Sequence, residues 1–329
     1  MVTAGPPTTT GPFFQNPVYQ PYFADPFVFE HDATFYAVGT EGHDINWAAN
    51  PDRVIPLLKS RTLSDWQAAG HALRPHSDIR HSMIWAPEVT KFDGRFYLYY
   101  SAGAHPPGGT PRFCLRVAAS DQPDGPYTDT GAPLTDPRSV PFAIDGHAFQ
   151  DADGQRYFFY AADFLDRPGD AQAGTALLVD KMVSPTQLAG TPTTAARARY
   201  PWQMFQGQRS MYGQVLDWYT LEGPVVIRHD NKYYCFYSGG NFQNDTYGVD
   251  YLVADHPLGP WDCAGGRNGP RVLRTIKNQV IGPGHCSLLS HAGQDYMVYH
   301  AWDSAMTARQ MCIDPLLWTP AGPRVARCL

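Results

Sequence analysis

The chain has 329 residues, is 43% hydrophobic and 13% aromatic, and carries a formal net charge of −6. It has no block of like charges, which argues against a nucleic-acid or membrane surface as partner, and no apolar run is long enough to span a bilayer. Thirty glycines and thirty prolines argue against long helices and point to many short strands joined by turns.

Residues 1–15, beginning MVTAGPPTTTGPFF, lack the charged and apolar stretches of a signal peptide. The expectation is a cytoplasmic protein, with secretion after signal removal as the alternative. This segment reads as flexible, ahead of one catalytic domain spanning 16–329.

The first structured unit is FVFEHDATFYAVGT from Phe27: an apolar strand, a polar turn, and a strand rich in aromatics. That is a β-hairpin pattern, and LLKSRTLSDW follows it near Trp66. His43, His71, His76 and His81 lie in polar loops of this unit and read as rim residues. The second unit, VTKFDGRFYLYYSAG from Val89, is followed by the loop AHPPGGTPRF and by VAASDQPDGPY near Tyr127. The third, HAFQDADGQRYFFYAAD from His147, is followed by LLVDKMVSPTQL near Leu188 and a long insertion between Asp163 and Tyr219. The fourth is VVIRHDNKYYCFYSGG from Val225 with YLVADHPLGPW near Trp261, and the fifth SLLSHAGQDYMVYHAW from Ser287 with CIDPLLWTP near Trp318. Tyr36, Tyr97, Tyr157, Tyr234 and Tyr296 mark the same place in each unit at near-equal steps, the third step being longer. Such a repeat predicts an all-β, five-bladed β-propeller in a single domain. A β-sandwich has no reason to repeat a two-part pattern in order. Cys114, Cys235, Cys263, Cys286, Cys312 and Cys328 are dispersed without a CxxC spacing and read as buried thiols. No HExxH, P-loop, dinucleotide or GxSxG motif occurs.

A polar residue precedes each hairpin at nearly the same offset from its tyrosine: Asp25, Glu88, Asp145, Glu222 and His285. In a propeller the inner strands line the axis, so these side chains converge on one funnel. Clustered carboxylates raise one another's pKa. They suit either a bound cation or acid and base work on a glycosidic bond. Cation sites draw oxygens from a short Asp-rich loop, which this chain lacks, whereas glycoside hydrolysis needs two carboxyls in different environments. Asp25 lies in FADPF between Phe23 and Phe27, and Glu222 in TLEGPVV, where partial burial suits a general acid. Asp145, in AIDGHAF, supplies a third carboxylate that holds the acid protonated and positions the sugar.

At these residues the chain resembles glycoside hydrolase family 43, five-bladed propeller enzymes that trim arabinose- and xylose-containing polysaccharides. The resemblance runs from about Asn16 to about Val325 and rests on the ordered set ADPF, WAPEV, AIDG, LEGP, GPGHCS and RQMCIDPLLW. It implies an inverting mechanism with Asp25 as general base, Glu222 as general acid, and Asp145 as modulator of the acid's pKa. The two reacting carboxyls are then expected roughly 6.5–9.5 Å apart. It further implies Trp85 as a stacking platform, and Glu88 as a structural or substrate-hydroxyl contact. Phe23 joins the substrate wall. Arg309 reaches the site floor to pair with a carboxylate, although Ala308 stands where relatives commonly hold glycine. His285 falls where relatives hold a structural calcium through water, while the chemistry itself requires no cofactor. The partner is an oligo- or polysaccharide. Relatives acting on β-xylosides carry a further C-terminal β-sandwich, which this chain lacks, so the expected activity is α-L-arabinofuranosidase. The insertion favours exo action. Alternatives are a β-D-xylosidase or dual enzyme, an endo-arabinanase or galactanase, and a non-catalytic carbohydrate-binding propeller.

Overall fold

The computed structural model describes residues 14–42, 53–79, 82–104 and 110–326. His43, His81, Cys328 and most of the loop after Ala104 lie outside the described residues. Strands β1 (Ala24–His31), β2 (Thr34–Thr40), β3 (Val54–Ser60) and β4 (Gln67–Arg74) form a first antiparallel meander. Strands β5 (Met83–Phe92), β6 (Arg95–Ala104), β7 (Arg112–Ser120) and β8 (Tyr127–Pro133) form a second. The third comprises β9 (Ala143–Gln150), β10 (Arg156–Phe164) and β11 (Gly174–Ser184), with short β12 (Gln187–Leu188) and β13 (Thr193–Ala196) against β11. An inserted hairpin follows, β14 (Met204–Met211) and β15 (Gln214–Tyr219), attached to β11 through Gly174 and Tyr219. The fourth is β16 (Leu221–His229), β17 (Lys232–Gly239) and β18 (Gly248–Ala254). The fifth is β19 (Ile281–His291), β20 (Gln294–Trp302), β21 (Arg309–Thr319) and β22 (Gly322–Val325). No helix among the described residues is long and apolar enough to cross a membrane.

Local chemistry explains the hairpins. The turns Asp32–Ala33, Asp93–Gly94, Asp230–Asn231 and Ala292–Gly293 have positive φ at both residues, the geometry whose twist matches a two-residue hairpin. Strand alternation then builds the cores. In β6, Phe96, Leu98 and Tyr100 face the first meander, while Tyr99 faces the third. In β17, Cys235 and Tyr237 pack toward the third meander and Phe236 toward the fifth. The last cluster joins Phe23, Val28 and Phe35 to Tyr296, Val298 and Ile313, seating the fifth meander on the first. Each side chain buried in this way contributes about 1.5–3 kcal/mol.

The inner strands meet in cyclic order, β1 on β5, β5 on β9, β9 on β16, β16 on β19, and β19 on β1. This is a β-propeller. Hydrogen bonds from inner-strand amides pass around the ring. The Ala86 N–H donates to Thr40 Oγ1 at 2.8 Å, Asp145 N–H to Ser101 Oγ at 2.9 Å, and Leu221 N–H to Thr175 Oγ1 at 3.0 Å. His285 N–H donates to Ser238 Oγ at 2.7 Å, and Asp25 N–H to His300 Nδ1 at 3.1 Å. The N-terminal segment adds a clasp: Asn16 Nδ2 donates to Ile313 O at 3.0 Å, Ile313 N–H donates to Asn16 Oδ1 at 2.8 Å, and Tyr19 bridges to Met311. Phe14 packs on Tyr296 with ring centroids 5.7 Å apart. Cys114, Cys235, Cys263, Cys286 and Cys312 are free thiols, buried or half-buried.

Candidate active site

Each inner strand breaks register near its start, and a residue with positive φ stands in the break: Asp25 (φ 49), Ala86 (φ 46), Asp145 (φ 60), Gly223 (φ 56) and His285 (φ 47). Such a bulge re-aims the side chain it carries. Four of these are non-glycine residues in a conformation that costs energy and is concentrated at functional sites. The repeated feature is therefore the bulge, and it corrects the sequence offsets. Glu88 lies two residues beyond its bulge residue, Ala86, and Glu222 lies one residue before Gly223.

The bulges bring Asp25, Asp145, Glu222 and His285 to the wall of one cavity of about 310 Å³, together with Trp85 and Arg309. Asp25 Oδ1 lies 3.2 Å from Arg309 Nη1 and 3.5 Å from His285 Nδ1. Burial by itself would raise this carboxyl, but the His285 and Arg309 charges outweigh it and hold Asp25 well below the usual range. Burial lowers His300 to about 4, and its Nδ1 accepts the Asp25 N–H at 3.1 Å. Glu222 moves the other way. Burial and then the Asp145 charge raise it to about 7, opposed by the Tyr247 hydroxyl, which donates to Oε1 at 2.6 Å. Asp145 is also raised, first by burial, and its Oδ2 accepts the Gly223 N–H at 3.0 Å, which ties it to the residue after Glu222. His285 resists the lowering effect of burial because Asp25, Asp145 and Glu222 surround it. Two carboxyls held in opposite protonation states can serve as base and acid in one displacement.

Residues 14–323 match the model for glycosyl hydrolases family 43. The chain belongs to glycosyl hydrolase family 43. It is 27% identical to the β-D-galactofuranosidase of Aspergillus niger, over 96% of this chain and 85% of that one. It is also 27% identical to an extracellular exo-α-(1→5)-L-arabinofuranosidase of Streptomyces avermitilis, over 89% of this chain and 57% of that one. Among solved structures, a thermostable family-43 glycoside hydrolase superposes with a TM-score of 0.79 at 27% identity, covering 95% and 96% of the two chains.

Within this family-43 site the remaining sequence expectations fall unevenly. Trp85 lines the cavity, backed by Phe113 in a stack with centroids 3.9 Å apart. Arg309 also donates to the Tyr22 hydroxyl oxygen, from Nε at 3.0 Å and from Nη2 at 2.8 Å. Glu88 does not line the cavity. Its Oε2 accepts from His147 Nδ1 at 2.7 Å, and His147 Nε2 accepts the Val226 N–H at 3.1 Å, so the pair ties the second, third and fourth meanders together. Phe23 is 1% exposed and packs in the core between the first and fifth meanders. A substrate contact at either residue is therefore corrected: strand alternation turns Phe23 inward, and its neighbour Tyr22 lines the cavity instead. His71 and His76 stand near the surface beside Glu41 and Asp78.

Sequence reasoning missed Tyr22, His300 and Tyr247, which shape the charges of Asp25 and Glu222, and the cavity residues Asp163 and Arg209. Tyr247 and His300 sit far along the chain from the carboxylates they serve, so no local motif announces them. The calcium expected at His285 through water would lie beside a ring whose Nδ1 is 3.5 Å from Asp25 Oδ1 and 3.9 Å from Asp145 Oδ2. Among the described residues, no group of three or more side chains is suited to hold an ion.

Proposed function

We propose that the protein is an inverting, exo-acting glycosidase that releases terminal L-arabinofuranose from arabinan- or arabinoxylan-type hemicellulose. The observation that carries this reading is the opposed titration of Asp25 and Glu222 in one cavity. Asp25 accepts a proton from water, which attacks the anomeric carbon. The bond to the leaving oxygen breaks, its electron pair stays on that oxygen, and Glu222 supplies the proton that neutralises it. Asp145 keeps Glu222 protonated through its charge and holds the Gly223 amide, while Arg309 and His285 keep Asp25 ionised. Exo action is supported by the small volume of the cavity, about 310 Å³. The arabinofuranosidase relative supports the sugar.

The galactofuranosidase relative favours a second reading. β-D-Galactofuranose shares the ring configuration of α-L-arabinofuranose and differs in its exocyclic carbon chain. Turnover of the 4-nitrophenyl α-L-arabinofuranoside, β-D-galactofuranoside and β-D-xyloside ranks the sugars. The roles are tested by leaving group. Glu222→Gln should lose about 10²–10⁴-fold on unactivated glycosides but far less on the 2,4-dinitrophenyl glycoside, whose leaving group needs no proton. Asp25→Asn should lose activity on both. Equal losses by both variants on both substrates would remove the assignment.

A further inference from the structure

The chemistry above leaves one wall of the cavity unused. Asp163, near the end of β10 opposite Thr175, lines it. Its Oδ2 accepts the Tyr212 hydroxyl at 2.6 Å, but its Oδ1 is buried with no hydrogen-bond partner among the described residues. Arg209 enters the same wall from β14, its guanidinium 4.7 Å from the Phe205 ring centroid and 5.9 Å from that of Trp218. Among the described residues that guanidinium makes no hydrogen bond or ion pair. Burial raises the Asp163 carboxyl to about 7 and lowers Arg209, so both groups carry a desolvation cost. A free acceptor beside free donors is expensive in a protein interior unless a ligand satisfies both.

Fastening the inserted hairpin accounts for only half of this. Tyr212 uses one carboxylate oxygen and leaves Arg209 unexplained. The position of the pair points to its ligand. Asp163 pairs with Thr175, whose Oγ1 accepts the N–H of Leu221, the residue before Glu222, at 3.0 Å, whereas Asp25 is held from the fifth meander by His285, His300 and Arg309. The wall therefore stands on the general-acid side, where the leaving group departs.

We infer that Asp163 and Arg209 form the subsite for the leaving sugar, gripping neighbouring hydroxyls of a neutral saccharide between the Asp163 Oδ1 acceptor and the Arg209 donors. Phe205, half-buried in the same wall, supplies aromatic surface for its C–H face. This rests on the glycosidase reading and adds what that reading leaves open, the preference for a saccharide leaving group.

The test is a binding titration in a Glu222→Gln background, so that no turnover intervenes. The probes are α-1,5-linked arabinobiose and β-1,4-linked xylobiose, each beside its monosaccharide. Asp163→Asn keeps an acceptor for Tyr212 and replaces the free acceptor with a donor, while Arg209→Met keeps the packing on Phe205. Each should weaken the bound disaccharide about tenfold or more and its monosaccharide less than threefold. Arg209→Lys should fall between. Equal weakening of disaccharide and monosaccharide, or no weakening of the disaccharide, overturns the subsite. So does failure of the Glu222→Gln protein to bind either disaccharide more tightly than its monosaccharide. Thermal melts of the variants check that they fold. The parent reading fails separately, if wild-type protein hydrolyses none of the aryl furanosides or xylosides.

Discussion

Asp25 and Glu222 begin as ordinary carboxyl groups and diverge because of their neighbours. Hydrolysis by the proposed route needs Asp25 ionised and Glu222 protonated. Asp25 is held well below 3.8, so the acid limb of kcat/KM lies below the usual carboxylate range. Activity instead falls as pH rises through the Glu222 value, about 7. Two substitutions should move that basic limb in opposite directions. Asp145→Asn removes a negative neighbour, so Glu222 loses its proton more readily and the limb moves to lower pH. Tyr247→Phe removes a hydrogen bond that favours the ionised form, so the limb moves to higher pH. Shifts of roughly one pH unit are expected from interactions of this size, read from kcat/KM profiles of both variants. Movement in the same direction would show that Glu222 does not set the limb. The carboxylates were legible in the sequence because each sits beside a proline or glycine ahead of a repeated hairpin. Tyr247 and His300 were not, since their influence depends on neighbouring meanders placing them against Glu222 and Asp25.

At the scale of elements, the bulge is the working unit. It turns Asp25, Asp145 and His285 toward the axis, and hydroxyl groups of the adjoining meander accept amides at or beside the breaks. Ser101→Ala and Thr40→Ala each leave a buried N–H without its acceptor, at a cost of about 1–3 kcal/mol. Urea unfolding should therefore show similar losses for both. Ser101 holds the amide of Asp145, so Ser101→Ala should also lower kcat; an unchanged kcat in that variant would mean that its hydroxyl serves stability alone. The hairpins could be read from the sequence because aromatic strands and Asp, Asn or Gly turns carry their own signal. The bulges could not. A register shift depends on strand pairing, so the sequence alone does not separate Glu88, whose carboxylate lies against His147, from Asp25 in its bulge.

The whole molecule joins these parts by closing on itself. The β19–β1 contact, the core from Phe23 to Tyr296, and the Asn16 clasp on Ile313 seat the last meander against the first. Side chains far apart in sequence, such as Asp25 and Arg309, are thereby held 3.2 Å apart. Repetition made this closure readable before any coordinates, because equal units in order have to meet around an axis. The inserted hairpin escaped that logic. Its length was plain, but only the fold places Arg209 and Trp218 in the cavity wall. The central claim, a single displacement by water at the anomeric carbon, is tested most directly by proton NMR during hydrolysis of 4-nitrophenyl α-L-arabinofuranoside, recorded before the released sugar mutarotates. The β-anomer of arabinose should form first. First appearance of the α-anomer would mean a covalent intermediate and would contradict the roles given to Asp25 and Glu222.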